Sequence, residues 1–97
     1  MKTFNDLEFK SNPMGTLQAR MKFDGGYELS VVAGEFAYST PRKSNDDPDY
    51  FEAFEIAVFK DGEFTRELFP DDHDDDVMGY VSRAQINTFM WQLQTGR

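Results

Sequence analysis

The run Pro70-Asp71-Asp72-His73-Asp74-Asp75-Asp76 sets five carboxylates around the only histidine of the chain. Hard cations such as calcium gather several carboxylate oxygens, so this run is the first place to look for a metal. With Asp72, Asp74 and Asp76 at ligand positions 1, 3 and 5 of an EF-hand loop, position 6 needs a turn glycine and holds Val77. Position 12 needs a bidentate glutamate and holds Arg83. The pattern fails, and no metal site is expected. Catalysis fares no better. A Ser-His-Asp triad would have to use His73, and no nucleophile elbow of the type G-x-S-x-G is present. Carboxylates acting as acid and base need environments that separate their pKa values, which a solvated loop does not supply. Gly25-Gly26 lacks the length and the lysine of a phosphate loop and reads as a hairpin turn. The chain has no cysteine, hence no disulfide, thiolate site or cysteine nucleophile. The expectation is a protein that is not an enzyme, with no catalytic residue and no cofactor.

Charge distribution carries more information. The 97 residues have a formal charge of −8. Thirteen acidic residues lie between Asp46 and Asp76 against two bases, Lys60 and Arg66, so that segment holds −11 and the rest of the chain +3. Such a surface complements a basic protein groove, and steers onto it. It disfavours direct binding to nucleic acid or to anionic membranes, both of which need a basic face. The candidate contact residues are Asp46, Asp47 and Asp49 in one polar loop and Asp71, Asp72, Asp74, Asp75 and Asp76 in the other. Tyr38 and Tyr50 flank the first loop and are candidate interface aromatics.

These loops must hang from a folded frame. Ten Phe, four Tyr and one Trp supply the apolar area for a single core, and a chain of this length forms one domain, residues 1–97. Leu17-Gln18-Ala19-Arg20-Met21-Lys22-Phe23 alternates with period 2 and predicts a half-buried strand. Asp24-Gly25-Gly26 turns the chain, and Tyr27–Val32 returns with Tyr27, Leu29 and Val31 inward. Phe36-Ala37-Tyr38-Ser39 is expected to extend the sheet beyond a kink at Gly34. Thr40 to Asp49 reads as a mobile surface loop. Phe54, Ile56 and Val58 share one face of a central strand spanning 50–59. Lys60-Asp61-Gly62 is a second hairpin turn, and Glu63–Leu68 the return strand. Near the N-terminus, Asn5-Asp6 starts a turn of helix and Leu7–Lys10 a short strand.

The C-terminal segment predicts an amphipathic helix. Ser82 and Gln85 form a capping box, Val81 and Ile86 a hydrophobic staple, and Gly96 a stop. Ile86, Phe89, Met90 and Leu93 make its apolar face. Leu29, Val31, Phe54, Ile56, Ile86, Phe89 and Leu93 are the expected core. The fold class is therefore α+β: an antiparallel sheet of four to five strands built from two hairpins and covered by one C-terminal helix. No apolar run reaches the ~20 residues that span a bilayer, and the N-terminal residues lack the apolar region of a signal peptide. A cytoplasmic location is expected.

The layout resembles small proteins encoded by bacteriophages and prophages. The resemblance rests on Met21-Lys22-Phe23-Asp24-Gly25-Gly26-Tyr27-Glu28-Leu29-Ser30-Val31-Val32, on Phe54-Glu55-Ile56-Ala57-Val58, and on Asp76-Val77-Met78-Gly79-Tyr80-Val81 before the final helix. It implies no cofactor and no active site. The acidic stretches at 40–49 and 71–76 depart from the plainer pattern. By analogy with anti-CRISPR and anti-restriction proteins, the resemblance implies an inhibitor of a host defence complex, acting in the cytoplasm of the infected bacterium. Two other functions fit the sequence: a structural or assembly protein acting as a homodimer, and a carboxylate-rich metal-binding or hydrolytic module. Monomer and homodimer both remain open.

Overall fold

The computed structural model describes residues 1–96 and has the α+β class expected of the sequence. Its strands are β1 Lys10–Ser11, β2 Leu17–Phe23, β3 Tyr27–Ala33, β4 Ala53–Lys60, β5 Glu63–Thr65 and β6 Val77–Ser82, followed by helix α1 Arg83–Thr95. All pairings are antiparallel, in the order β1-β2-β3-β4-β5, with β6 also on β4. Short 3-10 helices lie at Phe4–Asp6 and Pro48–Tyr50.

Strand β4 is the centre. Its Glu55–Lys60 stretch pairs with β3 on one edge. The other edge is divided: Val58 to Lys60 pair with β5, and Ala53 to Ala57 with β6. Thr65 opposite Val58 and Val77 opposite Ala57 are therefore neighbours in a single strand position. Residues 66–76 leave the sheet between them and return to it. Both hairpin turns follow from residues that tolerate positive φ: Asp61 and Gly62 sit at φ 52° and 86°, which a two-residue turn of type I′ requires.

Side chains on one face of the sheet meet the helix. Leu17, Leu29, Val31, Phe54, Ile56, Val58 and Val81 are buried with Ile86, Met90 and Leu93 of α1 in one cluster. Phe4, Phe51 and Phe54 stack within it, at centroid distances of 5.2 Å for Phe4–Phe54 and 6.0 Å for Phe51–Phe54. The helix ends form as the sequence predicts. Gln85 N–H donates to Ser82 Oγ at 3.2 Å, Ser82 N–H donates to Gln85 Oε1 at 2.8 Å, and Gly96 closes the helix at φ 71°. Asn87 and Gln94 tie the N-terminal segment to the helix by accepting from the N–H groups of Phe4 and Lys2, at 2.7 Å each.

Several expectations need correction. Phe36–Ser39 is no strand; after β3 the chain leaves the sheet, and only Thr40 rejoins it, opposite Ala53. The N-terminal strand is Lys10–Ser11 rather than Leu7–Lys10, and the return strand is confined to Glu63–Thr65. Val77–Ser82, expected only to lead into the helix, is a strand. The loop 40–49 is internally bonded and includes a 3-10 turn. Phe89 is only half-buried, and Met90 takes the central helix position instead.

The burial ranking gives a stability prediction. Phe54→Ala should cost about 3–5 kcal/mol, the range for emptying a fully buried aromatic site. Phe89→Ala should cost less, about 1–2 kcal/mol, because part of its ring is already in water. Urea unfolding of the two variants checks the order, and equal losses would mean that Phe89 is as deeply buried as Phe54.

Candidate interaction surface

The two acidic loops hang from different borders of the sheet. Residues 45–50 close the border where β4 begins and α1 starts. Residues 66–76 project from the edge shared by β5 and β6. The structure thus brings Asp46, Asp47 and Asp49 together, and separately Asp71 to Asp76.

Carboxylates of the first loop serve the loop itself. Asp46 accepts from Ser11 Oγ at 2.8 Å, and Asp47 caps the 3-10 turn by accepting from Asp49 N–H at 2.9 Å. Asp49 lies 3.5 Å from the guanidinium of Arg83, which also donates to Pro48 O at 2.7 Å. Arg83 reaches this loop from the first position of α1 while its guanidinium sits over the Phe4 and Phe54 rings, at 5.0 and 5.7 Å. A cation held on aromatic faces and partnered by a carbonyl fixes the loop to the core. Sequence periodicity gave no sign of this role, because a first-turn arginine reads as helix surface.

The second loop is built differently. Its neck is closed by the ion pair Arg66–Asp76 at 3.0 Å. Inside it Phe69 is buried against the core and stacks edge-on with Phe89 at 5.9 Å. His73 lies edge-on to Phe69 at 5.0 Å, and its Nε2 is 2.7 Å from Val77 O. A carbonyl can only accept, so Nε2 carries the proton. Backbone bonds from Phe69 N–H to Arg66 O and from His73 N–H to Pro70 O, both 2.9 Å, complete an ordered loop. Asp75 accepts weakly from Val77 N–H at 3.4 Å. Among the described residues Asp71, Asp72 and Asp74 are exposed and have no hydrogen-bond or ion-pair partner. No group of three His, Asp or Glu side chains among the described residues converges as metal ligands would.

Tyr38 and Tyr50 do not meet. Tyr50 is edge-on to the buried Phe51 at 5.2 Å and caps the core. Tyr38 pairs with Tyr80 at 6.2 Å, beside Glu55 on the helix-free face. This pairing depends on a bulge: Phe54 opposes Val81 while Ile56 opposes Met78, so Gly79 and Tyr80 together face Glu55. Tyr80 takes φ 58°, and its N–H donates to Tyr38 O at 2.9 Å. A Cβ at Gly79 would stand 2.5 Å from Tyr38 Cβ, so only glycine lets the 34–39 segment dock here. The sequence reading missed Tyr80, although a glycine inside the Val77–Ser82 run is the usual signal of a bulge.

Comparison with protein-family models, with curated proteins and with solved structures returned no match. No helix among the described residues is long and apolar enough to cross a membrane.

The geometry of 71–76 predicts its behaviour towards cations. Calorimetric titration with calcium should show no stoichiometric site tighter than roughly 0.1 mM, because the carboxylates do not converge and no glutamate closes the set. A tight one-to-one heat would contradict the geometry.

Proposed function

We propose that the protein is a non-enzymatic inhibitor or modulator that binds a basic surface on a host protein, with the 71–76 loop as its main contact. The observation that carries this reading is the trio Asp71, Asp72 and Asp74: exposed, unpartnered, and presented by a loop anchored through Phe69, His73 and the Arg66–Asp76 neck. Like charges held close together repel, and nothing in the fold uses these three. A cationic partner removes that repulsion on binding, and the field of the segment raises its encounter rate. Asp46, Asp47 and Asp49 already serve the fold and contribute as a secondary rim. The resemblance to phage and prophage proteins is the ground for seeking the partner among nucleic-acid-handling defence complexes such as a CRISPR effector. The heteroduplex channels of such complexes are basic because they hold phosphates. On this reading the protein acts in the cytoplasm of the infected cell.

One observation favours a second reading, an assembly protein that dimerises through sheet edges. Strand β1 covers only Leu17 and Gln18 of β2, so the outer edge of Ala19–Phe23 lacks a strand partner among the described residues. Arg20 and Lys22 lie on that strand, and charged edge residues are a common guard against self-pairing. The first reading is the better supported.

The test is kinetic. Capture from bacterial lysate at two salt concentrations supplies the partner, and association is then timed. Asp71, Asp72 and Asp74 replaced together by Asn should slow association about tenfold at low salt, with little effect near 1 M salt. The unfolding midpoint should not fall, because these three carboxylates bond nothing in the fold and their mutual repulsion is relieved. Replacing Asp46, Asp47 and Asp49 should slow association less and destabilise the fold by about 1 kcal/mol through the lost cap. Unchanged rates for the first variant at low salt would assign these carboxylates to solubility alone.

A further inference from the structure

Between the 66–76 loop and α1 runs a groove of about 440 Å3, lined by Leu68, Phe69 and Pro70 on the loop side, with Met78 of β6 and Phe89 of the helix completing its apolar wall. Gln85, Thr88 and Gln92 edge it along the helix. Its size falls within the range of ligand-binding clefts. The groove explains the half-burial of Phe89: this ring belongs to the apolar stripe of the helix but faces a gap rather than a strand. At the Pro70 end the apolar lining gives way directly to Asp71 and Asp72, followed within the same loop by Asp74. The groove is therefore apolar within and amide-edged along the helix, and the acidic run starts at the residue after Pro70, the last of its loop-side lining.

We propose that this groove receives one large apolar side chain of the basic partner, carried on a segment whose flanking lysines or arginines engage Asp71, Asp72 and Asp74. The inference rests on the reading of the 71–76 loop as the contact for a basic protein, and adds to it the apolar anchor that gives such a contact its residence time. Charge complementarity selects the occupant. An acidic segment would be repelled by the carboxylates that follow Pro70, a neutral one would gain nothing from them, and a purely basic segment would leave the apolar wall wet. Exposed charges mainly accelerate encounter, whereas an anchor buried in a pocket mainly slows release.

The probes are two short peptides: one leucine flanked on both sides by lysines, and the same peptide with serine in place of leucine. The leucine peptide should bind about tenfold tighter than the serine peptide, as burial of one aliphatic side chain implies, and should shift the NMR signals of Met78 and Phe89. Thr88→Trp, at an exposed helix position, should fill the groove without touching the core. It should bring the two peptides to equal affinity while leaving their salt dependence intact. Asp71, Asp72 and Asp74 replaced by Asn should weaken both peptides alike at low salt. Equal affinities of the two peptides for the unaltered protein would overturn the groove while leaving the loop reading in place. A leucine preference that survives loop neutralisation with no loss of affinity would uphold the groove and overturn the loop reading. No binding of either peptide at low salt would overturn both.

Discussion

The placement of the acidic 66–76 loop depends on how the second edge of β4 is satisfied. A central strand that buries Phe54, Ile56 and Val58 cannot leave its backbone groups unpaired on one side, since each orphan would lose a hydrogen bond out of reach of water. The chain meets this need with two pieces, β5 and β6, rather than one strand. The interval between them must then lie off the sheet, and it is this interval that holds the carboxylates. The acidic loop is thus not appended to a finished fold. It is the detour between two halves of one strand position, tied at both ends to the strand that carries the core.

The same edge contains a second irregularity with its own consequence. At Gly79–Tyr80 two residues oppose Glu55, and the Tyr80 N–H, turned out of the ladder, is taken up by Tyr38 O. That requirement accounts for the failure of Phe36–Ser39 to continue the sheet: the segment crosses to meet the bulge, and its Tyr38 N–H bonds Glu55 Oε1 at 2.9 Å. Two departures from regular pairing therefore satisfy each other. The helix and the hairpins were legible in the sequence because their signals are local: a capping box, a period, a glycine turn. β6 was not, because the bulge shifts its parity, so that Met78 and Val81 both face the core although three positions apart. A reader looking for strict alternation finds none. Phe89 misled for the opposite reason. Its spacing is correct for an apolar face, but periodicity says nothing about what lies opposite.

Of the candidate contact residues, composition identified the carboxylates and could not rank them. The ranking comes from hydrogen bonding. Asp46, Asp47 and Asp49 each have a local partner, with Arg83 binding the first loop to the Phe4 and Phe54 rings. Asp71, Asp72 and Asp74 have none among the described residues. Exposed ion pairs such as Arg66–Asp76 add little stability by themselves. Their value here is geometric, since the pair closes the neck of the loop and Phe69 and His73 hold its interior.

The central claim is that residues 66–76 form an ordered platform continuous with the sheet. Native-state hydrogen exchange tests it most directly. The account predicts that the amides of Phe69 and His73, bonded to Arg66 O and Pro70 O, are protected and lose protection in the same cooperative step as β4, while those of Asp71 and Asp72 exchange freely. Exchange of Phe69 and His73 at unprotected rates, with β4 still protected, would contradict it and leave the carboxylates on an unanchored loop.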